Sequence, residues 1–156
     1  MEWTFDPLEI KNAHLNIARL GAIARRYMPD FYGHSTSLLQ GGLPTDRLVA
    51  EWWLRSRRVR QRLGEIHRDG PESAQAVVQV PVSAAVTDWK RSPEQRKLAE
   101  SLQTRNRLAL QSAFARGLGI TGYERNPQGD GCFLLGPVSG LEEPEMPNRE
   151  SQRTTG

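Results

Sequence analysis

The chain has 156 residues, 37% of them hydrophobic and 25% charged, with a net charge of +3. That size suits one ordinary domain, and so mild a positive charge argues against a nucleic-acid-binding surface. A lone cysteine, Cys132, excludes an internal disulfide framework. No apolar run approaches the roughly 18 residues of a membrane helix, and Glu2 and Asp6 interrupt any signal-peptide core. A soluble, cytoplasmic protein without a membrane partner is therefore expected.

Glu2-Trp3-Thr4-Phe5 alternates polar and apolar side chains and predicts a strand at the very start. Asp6 then offers an N-cap, Pro7 suits the first helical position, and Glu9 completes a capping-box spacing. The helix is expected to reach about Leu20 and stop at Gly21. Ala22–Tyr27 reads as a second strand. Met28 to Thr45 is a loop rich in Gly, Ser and Pro, and loops of that length are usually functional or disordered. Phe31-Tyr32-Gly33 within it argues against disorder, because the rings need a surface to pack on.

Asp46–Leu54 carries the strongest strand pattern, with Leu48, Ala50 and Trp52 alternating with Arg47, Val49, Glu51 and Trp53. A short basic helix over about Arg57–Leu63 and a polar linker from Gly64 to Ser73 follow. Ala76–Val80 reads as a buried strand ended by Pro81. Ser92-Pro93-Glu94-Gln95 is a clear helix start. That helix should bury Leu98, Leu102, Leu108, Ala109, Ala113 and Phe114 and end at Gly117. Gly119–Glu124 and Cys132–Leu135 then form a pair of strands around the turn Asn126–Gly131. Residues 137–156 hold almost nothing to bury and are expected to be a disordered tail, leaving 1–136 as the folded part. No internal repeat is visible. The order β-α-β-β-α-β-α-β-β is that of an α/β domain or a large part of one.

Several residues could carry chemistry. Arg55 to Arg62 holds five arginines and could meet phosphate, although a charge run reads first as a solvated helix face. Tyr27 reads as a packed ring with a satisfied hydroxyl, Glu51 as a solvated carboxylate, and Trp52-Trp53 as core plus interface. Cys132 in a short apolar strand reads as a small buried hydrophobe. His14, His34 and His67 show no metal-ligand spacing.

Trp3-Thr4-Phe5-Asp6-Pro7-Leu8-Glu9-Ile10-Lys11-Asn12-Ala13-His14-Leu15-Asn16, followed by Leu20-Gly21-Ala22, resembles motif B of the GNAT acyltransferases. There a strand leads into a helix that bears an asparagine and ends at Leu-Gly before the next strand. Further blocks are similar to a poorly characterised bacterial and archaeal branch of that superfamily. They are Arg25-Arg26-Tyr27 through Phe31-Tyr32-Gly33, Gly42-Leu43-Pro44-Thr45-Asp46-Arg47-Leu48 with Glu51-Trp52, and Thr104-Arg105 with Phe114-Ala115-Arg116-Gly117.

The resemblance spans roughly residues 2–135 and implies the C-terminal half of a GNAT-like mixed sheet with flanking helices. It implies acetyl-CoA or another acyl-CoA as co-substrate, no metal, and a small-molecule or peptide amine as acceptor. Asn12 resembles the motif B asparagine that contacts the cofactor, though at a shifted spacing and with an exposed helix asparagine as the plainer role, and Asn16 is a second candidate. Tyr32, Asp46 and Arg47 are candidates for acceptor binding, with a strand-start ion pair as the plainer role for the last two. The family's general-acid tyrosine has no match here, so the catalytic acid and base stay unassigned.

Motif A, the glycine-rich loop that opens a helix and cradles pyrophosphate, has no counterpart. Leu39-Gln40-Gly41-Gly42-Leu43 precedes a strand, and Arg116-Gly117-Leu118-Gly119 follows a helix. Two readings follow. One is an acyltransferase part that oligomerises or pairs with a missing N-terminal half, with Glu2–Phe5 as a central strand. The other is a non-catalytic remnant or interaction module without acyl-CoA binding.

Overall fold

The computed structural model describes residues 1–33, 42–66, 76–87, 89, 90 and 92–141. Six strands form one sheet: β1 (Glu2–Phe5), β2 (Ile23–Met28), β3 (Arg47–Glu51), β4 (Val78–Val82), β5 (Leu118–Arg125) and β6 (Gly131–Pro137). The helices are α1 (Ile10–Ala13), continued by a π-helical segment His14–Arg19, then α2 (Arg57–Arg62) and α3 (Pro93–Ala115). A 3-10 turn, Ala84–Val86, follows β4. This is the element order expected from the sequence.

The sheet itself differs from expectation. Its order is β1-β3-β2-β5-β6-β4, and every paired neighbour is antiparallel. It is not a mixed sheet, and β1 lies at an edge of it. The reason is where each returning strand goes. The crossover β1–α1–β2 sets two strands in the same direction, but β3 enters the gap and pairs antiparallel with both. The crossover β4–α3–β5 does the same, with β6 filling the gap.

The fold is thus a β-α-β-β unit used twice, joined where Ala24 of β2 faces Ile120 of β5. The two units agree in detail. Each helix stops at a glycine with positive φ, Gly21 (79°) or Gly117 (83°), a conformation that suits glycine. Each following strand carries an irregularity, between Ala24 and Tyr27 in β2 and between Ile120 and Gly122 in β5. Beyond it stands a tyrosine, Tyr27 opposite Leu48 or Tyr123 opposite Phe133. Apart from these glycines and tyrosines the residue types at matching places of the strands differ, as Trp3 and Val78 or Ala50 and Leu135 do, which is why no repeat shows in the sequence.

One row of cross-strand neighbours, Trp3, Ala50, Ala24, Ile120, Leu135 and Val78, spans all six strands. With Phe5, Leu48, Val80 and Phe133 it meets Ile17 and Leu110 of the helical segments in one core. Removing such apolar surface from water is the main driving force for this layer arrangement.

Other expectations shift locally. Asp6 caps no helix: its Oδ1 accepts from the Leu8 N–H at 2.9 Å and its carbonyl from the Glu9 N–H at 3.1 Å. Asp6-Pro7 closes a turn of the kind Asp favours, and α1 begins only at Ile10. Pro81 lies inside β4, where an edge strand tolerates its missing N–H.

In α3 the buried stripe is Ala99, Leu102, Gln103, Asn106, Leu110 and Ala113, while Leu98 and Leu108 are exposed. The amides of Gln103 and Asn106 are drawn inward by the carbonyls of Pro44 (2.8 Å) and Pro81 (3.1 Å). Glu51 is not solvated. It is 4% exposed and paired with Arg25 through two bonds of 3.0 Å.

Of the basic run, Arg58 is buried and donates to the carbonyls of Gly21 (2.8 Å) and Ile17 (3.4 Å), closing the end of the first helix. At the far end β6 includes Pro137, and Val138 to Leu141 close a turn. The rest of the expected tail, 142–156, lies outside the described residues, as do His34, His67 and residues 39–41 of the glycine-containing loop.

Candidate functional site

The five candidates from the sequence separate into two groups. Asn12 is exposed on α1. Asn16 is buried and accepts a hydrogen bond from the Trp3 indole at 3.1 Å, with Trp3 edge-on to Trp52.

Tyr32, Asp46 and Arg47 gather where β2 ends and β3 begins. The Tyr32 ring is exposed under the Arg47 guanidinium, 5.3 Å away, and its N–H donates to Thr45 Oγ1 at 2.9 Å. Asp46 is 2% exposed and does not pair with Arg47. Its carboxylate accepts from the Tyr27 hydroxyl (2.5 Å), the Asp30 N–H (2.9 Å) and Arg107 Nε (2.8 Å). Burial, reinforced by the bond to Asp46, pushes the Tyr27 hydroxyl far above the usual tyrosine range. The same carboxylate raises Arg107 further. Asp46 therefore latches β2, β3 and α3 together. Buried Arg47 Nε has no partner among the described residues.

A cleft of about 550 Å³ opens beside the end of β1. One wall is the turn into α1, with Asp6, Leu8, Glu9, Ile10 and Lys11. The other is the segment after β4, with Ala84, Thr87, Trp89 and Lys90, and Arg125 and Gly129 complete it. Trp89 is largely buried, with Lys90 Nζ 5.6 Å from its ring centre.

Burial raises the Asp6 carboxyl above the ordinary aspartate range and outweighs the opposing Leu8 N–H and the attraction of Arg47. Glu9 raises it further, and Lys90 opposes. A carboxyl shifted this way in a cleft is the kind of group that exchanges protons with a ligand. Sequence reading missed it because Asp6-Pro7 has the look of a helix start. The available signal was an acidic residue directly at the end of a strand.

A second hollow of about 340 Å³ lies between the end of β4 and the β5–β6 turn and is lined in part by Ser83, Arg105, Glu124, Asp130 and Cys132. Cys132 is half-buried, and burial followed by the charge of Glu124 pushes its thiol up, away from nucleophilic use. Asp130 is tied to the Ala84 N–H (2.7 Å) and to Asn126 (3.0 Å).

Among the described residues no cluster of three or more His, Cys, Asp or Glu could hold a metal ion, and no helix is long and apolar enough to cross a membrane. No protein-family description, curated protein or solved structure matches the chain.

Proposed function

We propose that this chain is the acceptor-side part of a GNAT-type N-acyltransferase, working with acetyl-CoA or another acyl-CoA and an amine. The observation that carries the reading is the β1–α1–β2 unit. A strand runs into a helical segment that exposes Asn12, ends on Leu20 and Gly21, and returns as a strand of the same sheet. Asp6, at the end of β1, is the group in the adjoining cleft best suited to take a proton from an amine.

The described residues do not fit an acyl-CoA pyrophosphate, since Arg116–Gly119 leads from α3 into β5 and opens no helix. In this reading the cradle belongs to another segment that adds to β1. The edge of β1 is open to it. Met1 and Trp52 exchange both backbone bonds, so antiparallel alternation turns the N–H and C=O groups of Glu2 and Thr4 outward. A strand added there would gain those bonds.

One observation favours a second reading, a non-catalytic interaction module. Asn16, Asp46 and Glu51 are all engaged inside the fold.

Titration calorimetry separates the two. Acetyl-CoA added to this chain alone is expected to give no saturable heat. Added to a product that also carries the coding sequence upstream of Met1, it is expected to bind. Tight binding by the chain alone sinks the proposed division of labour. No binding by either product leaves the interaction module.

A further inference from the structure

We infer that the cleft beside β1 binds a zwitterion, namely a free amino acid, whose amine and carboxylate stand together. The inference names the acceptor of the proposed acyl transfer and rests on that reading for its role, though not for the binding itself.

The lining carries charge of both signs. Asp6 and Glu9 stand on one wall with Lys11, Lys90 lies on the other, and Arg125 comes from the end of β5. None of these five is in an ion pair among the described residues. Asp6 is partly withdrawn from water, where a lone carboxylate is costly and a cationic amine offsets the cost.

A purely anionic ligand would meet Asp6 and Glu9, and a purely cationic one would meet three basic side chains. A ligand with both charges satisfies both sets. The cleft is of the size usual for small-ligand sites. Its apolar surface at Leu8 and Trp89 suits an aliphatic side chain.

The test uses the full chain without acyl-CoA, so its outcome is separate from that of the acyl-transfer reading. L-leucine, L-leucine amide and N-acetyl-L-leucine are titrated while backbone amide NMR signals are followed. Leucine is expected to give saturable shifts at Leu8–Lys11 and Lys90. The two derivatives, each lacking one charge, should bind about tenfold more weakly, near 1.4 kcal/mol.

Asp6→Asn should weaken leucine about tenfold and should not weaken N-acetyl-leucine, an anion that the Asp6 carboxylate repels. Arg125→Gln should weaken leucine and should not weaken leucine amide, a cation that the Arg125 guanidinium repels. Three results would overturn the inference: no saturable shift with leucine up to about 10 mM, derivatives that bind as tightly as leucine, or shifts confined to another part of the fold.

Discussion

The two β-α-β-β units share a backbone plan but close it by different means. In the first, the Tyr27 hydroxyl donates to Asp46, which also holds Arg107 and the Asp30 N–H. In the second, Tyr123 occupies the matching place, and the position matching Asp46 is Gly131, which likewise precedes the tyrosine's cross-strand neighbour. The Tyr123 hydroxyl lies 1.8 Å from where a Gly131 Cβ would stand, and it has no partner among the described residues. Burial pushes both hydroxyls up. Asp46 then adds to the effect at Tyr27, and the neighbouring Cys132 adds to it at Tyr123. One corner is held by a charged hydrogen-bond network, the other by a ring filling a glycine's empty space.

Four substitutions test that contrast. Asp46→Ala should have the largest effect, because it strands a partly buried Arg107, the Tyr27 hydroxyl and the Asp30 N–H at once. About 3 kcal/mol of stability should be lost, as when one partner of a buried ion pair is removed, measured by urea denaturation. A loss within the usual surface range would sink the latch.

Gly131→Ala comes next. Its methyl group collides with the Tyr123 hydroxyl and with Cζ, 2.5 Å away, and should cost about 2 kcal/mol as an overpacked core does. Adding Tyr123→Phe should recover part of that loss. If the two changes simply add, the collision is not the cause.

The element order was legible because its punctuation is local. Gly21, Gly117 and Ser92-Pro93 mark helix ends and a helix start by their own backbone preferences. Strand neighbours were not legible. Alternation tells which face a side chain takes, not which strand lies beside it, so the insertion of β3 and β6 into the crossovers left no mark. The stripe of α3 was misjudged for a related reason, since Gln103 and Asn106 face inward only because distant carbonyls await them. Of the candidate sites, Tyr32, Asp46 and Arg47 do cluster, being near in sequence. The cleft gathers Asp6, Lys90 and Arg125 from three separate segments, and no local pattern could bring them together.

The smallest effect is the most discriminating, because it should change sign between the units. Tyr27→Phe and Tyr123→Phe remove the same atom from matching positions. At Tyr27 the hydroxyl bonds to a charged, buried acceptor, so its loss should cost about 1.5 kcal/mol. Asp46 keeps Arg107 and the Asp30 N–H, which holds the loss below that of Asp46→Ala. At Tyr123 the hydroxyl leaves water and gains no partner among the described residues. Removing an unpaired buried polar group relieves a penalty, so Tyr123→Phe should be neutral or stabilising by up to about 1 kcal/mol. Equal losses at both positions in parallel urea titrations would mean that the Tyr123 hydroxyl has a bonding partner after all, and that the two corners are held alike.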